Sequence, residues 1–282
     1  MLTTYKQIIK KAYRQHWAIG AFNTANLEIS QAIIEAAEEM RSPVIIQTSE
    51  KTIQYAGLEE IAEIMKSLAR KAKVPVIINL DHGKSYNDAV RAAKAGYTAL
   101  MFDGSKLTFK NNISQTKKIV QLGKRYHIGV EGELGKIGGE EDYIKSHKIV
   151  MTKPGDAKEF VRKTGIDLLA PAFGSAHGLP QKGEHLDIKR LKAIRDSIPT
   201  TPLVFHGASS TRKDLIKKSI RLGVSKVNID TDLRMAFSHA VRAYLKKNAS
   251  VYDPRDILGK GKEAVKKIVK DKIILFGSQR KA

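Results

Sequence analysis

His82, His177 and His206 each close a short apolar run, and each is followed by glycine. The runs are residues 74–80 ahead of Asp81-His82-Gly83, 168–174 ahead of Ser175-Ala176-His177-Gly178, and 202–205 ahead of His206-Gly207. Three neutral imidazoles gathered at one point, with a coordination position left open, suit Zn²⁺ or a similar divalent ion in a catalytic site. A solitary histidine is more often a satisfied structural residue. Three of the chain's eight at equivalent places argue for a shared task. The glycines allow sharp turns and let backbone N–H groups approach a ligand. Asp81 has two readings: a strand-end acid that orients a neighbour, or a general acid/base over a metal-bound substrate. Spacing does not choose between them.

Elements that could deliver these residues follow from hydrophobic patterning. Strand-like runs lie near 18–22, 43–48, 74–80, 98–103, 128–133, 166–173, 202–206 and 224–229, mostly as continuous apolar stretches. Helical patterns separate them, and Gly96, Gly165 and Gly223 stand where C-cap glycines belong. Alternating β and α units without an antiparallel hairpin signal predict a parallel sheet with right-handed crossovers. Eight units, and no glycine-rich dinucleotide fingerprint, predict an α/β fold of the (β/α)₈ TIM-barrel type rather than an open sheet. Such barrels build their sites at the C-terminal ends of the strands. Residues 2–16 are expected to form a helix plugging the barrel bottom, and 253–282 a tail ending in a helix over 262–274. The long polar connections 135–152 and 178–187 fit functional lids.

Composition narrows the choices. The 282 residues suit one barrel over the whole chain, 1–282. Cysteine is absent, so any metal rests on His, Asp or Glu, and a reducing cytoplasm is compatible. The N-terminus lacks a signal-peptide pattern, and no stretch approaches the ~20 apolar residues of a membrane span. The net charge of +21 fits a lysine-rich solvated surface that can attract anionic substrates. Nucleic-acid binding is disfavoured, because no basic run is interleaved with aromatics.

Two further segments suggest phosphate. His206-Gly207-Ala208-Ser209-Ser210 leads into a helix near Thr211, and Val227-Asn228-Ile229-Asp230-Thr231 into one near Asp232. Small residues and hydroxyls at helix N-termini after the last two strands match a barrel phosphate site, with plain N-capping by Ser209 and Thr231 as the alternative.

Together with Ala21-Phe22-Asn23, residues 43–50 ending in Ser49-Glu50, Met101-Phe102-Asp103-Gly104-Ser105, Val130-Glu131-Gly132-Glu133-Leu134-Gly135, Gly138-Gly139-Glu140-Glu141-Asp142 and Asp253-Pro254-Arg255, these segments carry a resemblance over essentially the whole chain. The chain resembles the class II, metal-dependent fructose-bisphosphate aldolases and the closely related tagatose-bisphosphate aldolases. The resemblance implies His82, His177 and His206 as zinc ligands, with Glu133 able to approach the metal. It implies Asp81 as the group exchanging the C4 hydroxyl proton, and Glu141 as a mobile acid/base at C3. Gly178, Gly207, Ser209, Asn228, Asp230 and Thr231 would hold the triose-phosphate end, Asn228 also backing the reacting centre. Asn23 and Ser49 match polar pocket positions, and Arg255 could reach the second phosphate across a subunit interface. The carbonyls of Ala176, Gly178 and Gly207 would cradle a monovalent cation, Na⁺ or K⁺. A phosphorylated sugar substrate, a homodimer or homotetramer, and a place in glycolysis and gluconeogenesis are implied as well.

Retro-aldol cleavage leaves negative charge on an enediolate oxygen, which a divalent ion or a Schiff-base lysine can absorb. No lysine ends the strand runs that carry the acids, histidines and Asn228, and Lys226, early in the last run, is expected to snorkel outward. Asn79 stands where the resembled family most often has His, and Ser210 where it commonly has Gly. The competing classes are a zinc-binding basic barrel serving as an interaction or nucleic-acid-binding protein, and a zinc hydrolase using Asp81 to activate water.

Overall fold

The computed structural model describes residues 1–141, 144–146, 149–178, 186–209 and 211–282, with the backbone alone for Gln7, 139–141, 144–146 and His177. In chain order the elements are α1 (Tyr5–Arg14), β1 (Ile19–Asn23), α2 (Leu27–Glu39), β2 (Val44–Thr48), α3 (Glu50–Ala56), α4 (Leu58–Lys71), β3 (Val76–Gly83), α5 (Tyr86–Ala95), β4 (Ala99–Phe102), α6 (Phe109–Tyr126) and β5 (Gly129–Leu134). There follow β6 (Gly138–Glu141), β7 (Ile144–Ser146), α7 (Pro154–Thr164), β8 (Leu168–Pro171), β9 (Ala176–His177), α8 (Ile188–Ser197), β10 (Leu203–Phe205), α9 (Lys213–Arg221), β11 (Val224–Ile229), α10 (Thr231–Lys247) and α11 (Pro254–Phe276).

The parallel strands close into a barrel in the order β1-β11-β10-β8-β5-β4-β3-β2. This is the expected (β/α)₈ architecture, with strand boundaries close to the sequence reading. Closure leaves the barrel sheet without an edge, and both strand faces are buried, which is why the runs read as continuously apolar. Side chains alternate between barrel interior and helix layer. Ile19, Ala21, Ile45, Ile77, Ala99, Leu168, Ala170 and Val204 point inward and pack with Tyr5, Ile9 and Ala12 of α1, so α1 does plug the barrel. A separate cluster fills the space between strands and helices.

Helix starts follow local chemistry. Asn26, Ser49, Ser85, Thr108 and Asp187 each accept a backbone N–H from the first turn of the following helix. The last helix is longer than expected. Asp253 caps it and Pro254 opens it, so helix begins well before residue 262. Gly259 and Gly261 obscure that start in the sequence, yet a Cβ on Gly261 would collide with the Phe237 ring, so glycine permits close approach of α10 and α11. Along α11, Lys262, Lys266 and Lys270 face Glu35 and Glu39 of α2, and part of the large basic excess serves this seam.

One expectation fails. The first long connection contains an antiparallel pair, β6 with β7, and β9 joins β6 in parallel as a third strand. Glycines and acids make up β6, so it lacks the alternating apolar pattern by which hairpins are read.

Candidate active site and metal centre

β3 carries Asp81 and His82 side by side, and neighbours on a strand normally face opposite ways. Here the register against β4 shifts between Leu80 and Gly83, and His82 takes a left-handed backbone with φ 51°. This bulge turns both side chains toward one point. Ligand atoms of Asp81, His82 and His206 all lie within 4.8 Å of one another. A non-glycine residue in this conformation costs on the order of 1–3 kcal/mol, and such strain tends to gather where function requires it. Gly83 completes the turn, because a Cβ there would press on the Leu80 side chain and the Met101 carbonyl.

His82 Nε2 faces His206 Nδ1 at 3.0 Å, with the rings edge to face. Behind each ring stands a carboxylate. His82 Nδ1 is 3.3 Å from Asp103 and 3.6 Å from Glu133, and His206 Nε2 is 2.8 Å from Glu131. Glu131 in turn accepts from Lys226 Nζ at 2.6 Å, and all of these groups are buried. Burial pushes the Asp103 carboxyl up, but bonds to His82 and Ser105 outweigh it and hold the group well below the usual range. Burial also pushes Glu131 up, yet Lys226 and then His206 win and bring it to about 2. Burial pushes the His206 imidazole below its usual range, partly opposed by its bond to Glu131.

Asp81 is fully enclosed. Asn23 Nδ2 donates to one of its oxygens at 2.9 Å and Asn228 Nδ2 to the other at 3.1 Å. The same Asn228 nitrogen lies 3.2 Å from His206 Nδ1, so it ties the acid to the imidazole. Asn228 Oδ1 is buried with no hydrogen-bond partner among the described residues, an acceptor left over beside the histidines.

The chain as a whole is similar to known proteins. A family model described as "Fructose-bisphosphate aldolase class-II" matches residues 3–281. The fructose-bisphosphate aldolase of Thermus caldophilus is 40% identical over 307 residues, covering 100% of both chains. The chain belongs to the class II fructose-bisphosphate aldolase family. A sulfofructosephosphate aldolase from Alkalicoccus urumqiensis is 39% identical over 98% of this chain and 97% of that one. Among solved structures, the YdjI aldolase of Escherichia coli K12 superposes with a TM-score of 0.89 at 37% identity, covering 100% of each chain. Family membership makes the protein an aldolase, a carbon–carbon lyase, and does not favour the interaction-protein alternative.

Class II aldolases are metal-dependent, and the residues present fit a divalent cation. Carboxylates behind both rings select the tautomers in which His82 Nδ1 and His206 Nε2 carry the protons. In those tautomers His82 Nε2 and His206 Nδ1 face each other as acceptors at 3.0 Å, with the Asn228 amide also 3.2 Å from His206 Nδ1. A divalent cation accepted by both would resolve that opposition, and Asp81 stands near enough to add an oxygen ligand, whereas Glu133 groups with His82 and Asp103.

The backbones of Glu141 and His177 are placed, on β6 and β9, with Gly139 beside His177 in register; their side chains lie outside the described residues, as does Ser210. Gly207 approaches Ala176 so closely, at φ 70°, that a Cβ would strike the Ala176 carbonyl oxygen. Gly178 also has positive φ, 89°. Ser209 lends its carbonyl to Lys272, Asp230 pairs with Arg234, and Thr231 opens α10. Neither Ser209 nor Thr231 serves as the side-chain cap of the helix that follows it. Ser49 caps α3 and is buried. Arg255 stands apart, its side chain 88% exposed and held by Asp253.

Lys226 requires a correction. It does not snorkel outward but is fully buried inside the barrel on Glu131. Period-two alternation decides this: Asn228 faces the site, so Lys226, two residues earlier, must face inward too. The same rule would have found Glu131 from Glu133. Asp103 had no such companion and became recognisable only through its contact with His82.

Proposed function

We propose that the protein reversibly cleaves fructose 1,6-bisphosphate to dihydroxyacetone phosphate and glyceraldehyde 3-phosphate. The reading is carried by one observation: two histidines from separate strands face each other, each backed by a buried carboxylate, beside an aspartate gripped on both oxygens. His82, His177 and His206 would hold zinc or a similar divalent ion, with Glu133 as a further ligand. When bound, that ion would draw electron density from the ketose carbonyl and adjacent hydroxyl and stabilise the negative charge that cleavage creates.

The chain's own groups move the protons. Asp81 takes the C4 hydroxyl proton while the C3–C4 bond breaks, and C4 leaves as an aldehyde. Glu141 then delivers a proton to C3, completing dihydroxyacetone phosphate. Asn228 steadies Asp81 and donates toward the reacting centre. Gly178, Gly207, Ser209, Asp230 and Thr231 form the phosphate cradle at the head of α10. The carbonyls of Ala176, Gly178 and Gly207 would hold Na⁺ or K⁺, and the tight approach of Gly207 to Ala176 supports two members of that set. Asn23 and Ser49 border the sugar, and Arg255 serves the second phosphate from a neighbouring subunit of a homodimer or homotetramer. The positive surface draws the bisphosphate in. A cytoplasmic place in glycolysis and gluconeogenesis fits this chemistry, and no helix among the described residues is long and apolar enough to cross a membrane.

The test is a coupled triose-phosphate assay on fructose and tagatose 1,6-bisphosphates, with and without a chelator. Fructose bisphosphate is expected to be the better substrate and the chelator to stop its cleavage. Release of inorganic phosphate without triose phosphate would support the hydrolase instead.

A further inference from the structure

Asp81 is the end point of a hydrogen-bonded series that begins at the barrel bottom. Tyr5 Oη donates to Asn79 Oδ1 at 2.9 Å, and Asn79 Nδ2 to Gln47 Oε1 at 3.0 Å. Gln47 Nε2 donates to Asn23 Oδ1 at 2.8 Å, and Asn23 Nδ2 to Asp81 Oδ2 at 2.9 Å. None of the five residues is more than 4% exposed. They come from α1, β3, β2 and β1, with Asn79 opposite Gln47 and Gln47 opposite Asn23 in register.

The direction of the series is fixed at both ends. A carboxylate only accepts, so Asn23 must turn its amide nitrogen toward Asp81. That leaves the Asn23 oxygen for Gln47, whose own oxygen then faces Asn79. Asn79 must therefore offer an oxygen to Tyr5, which has to donate. Burial first, and the nearby charges of Glu131 and Asp81 next, push the Tyr5 phenol well above its usual range, so it keeps its proton. Every carboxamide is locked in one of its two flips.

Packing does not require this. Equivalent inward positions hold Ile45, Ile77, Ala99 and Leu168, and buried polar groups are costly unless each is satisfied. We infer that Tyr5, Asn79 and Gln47 are positioning residues, which hold Asn23 in the flip that anchors the Asp81 carboxylate for proton transfer at the C4 hydroxyl. This rests on the role proposed for Asp81 above.

The test compares Asn79→Leu, Asn79→His, Tyr5→Phe and Asp81→Ala in the metal-loaded enzyme. Neutral imidazole, like a carboxamide, offers one acceptor and one donor, so His can relay the same direction, whereas Leu matches Asn in size and relays nothing. For each variant, kcat and KM for cleavage, solvent proton exchange on dihydroxyacetone phosphate, bound zinc and Tm are measured. Asn79→Leu is expected to lose part of the ~10²–10⁴-fold carried by a general acid/base, about 10–100-fold in kcat, with KM within about threefold. Proton exchange, which does not use Asp81, and zinc content should stay near parent values. Asn79→His should recover kcat to within about fivefold of the parent, and Tyr5→Phe should lose about 3–10-fold. Equal kcat in Asn79→Leu and the parent, His performing worse than Leu, or cleavage and exchange falling together would overturn the inference. Should Asn79→Leu not fold, Tyr5→Phe decides, with parental kcat counting against. Full cleavage by Asp81→Ala would instead remove the underlying role of Asp81.

Discussion

Lys226 Nζ stands 2.6 Å from Glu131 Oε2, with both side chains wholly enclosed by the barrel. Glu131 reaches on to His206, so the enclosed lysine stabilises the acid that orients one of the proposed metal ligands. A buried pair of this kind adds little net stability over apolar residues, but breaking it strands a charge.

Replacing Lys226 by Met should therefore cost about 3–5 kcal/mol in urea unfolding. The double variant Lys226→Met/Glu131→Gln should recover most of that loss. A single variant within about 1 kcal/mol of the parent would mean that Glu131 needs no counter-charge.

Acid should act through the same group. Glu131 sits at about 2 in the folded chain against an ordinary 4.5, so the native state binds fewer protons than the unfolded one between those values. Its stabilisation is complete above about pH 4.5 and disappears as pH falls toward 2. Unfolding of the metal-free protein should show a flatter pH dependence in that window for Glu131→Gln. An unchanged slope would assign the acid sensitivity elsewhere.

Metal removal and single substitutions should separate binding from chemistry. Stripping the protein with a chelator should lower Tm, since an ion bound only by the native state stabilises it by about 2.7 kcal/mol at a hundred times Kd. His206→Ala should lose the ion and this dependence on the chelator. Asp81→Ala should keep the ion and lose ~10²–10⁴-fold in kcat. Zinc bound stoichiometrically by His206→Ala would refute the ligand assignment.

The seam between α2 and α11 should respond to salt. Glu39 meets both Lys266 and Lys270, all partly exposed. Glu39→Gln should cost at most about 1 kcal/mol at low ionic strength, and near ~1 M salt the difference should vanish. A loss that persists in salt would point to packing.

Some of this was legible in order along the chain. Continuous apolar runs separated by amphipathic stretches dictate buried parallel strands and covering helices. The polar residues that end those runs, among them Asp81, His82, His206 and Asn228, announce where chemistry belongs. These are short-range facts, set by backbone periodicity and by what each residue type can bond. Strand alternation could have turned Glu131 and Lys226 inward, but their pairing, the contact of Asp103 with His82 and the series from Tyr5 to Asp81 were not legible. Each depends on side chains many residues apart meeting inside a closed barrel. The shared aim of Asp81 and His82 likewise needed a left-handed backbone at a non-glycine residue, which local preference disfavours and only the surrounding fold enforces. Sequence alone determined which groups were available and on which strands they ride. Tertiary structure decided which carboxylate backs which imidazole and which way every buried amide points, because those choices are made by distance and by mutual hydrogen bonding, neither of which is written along the chain.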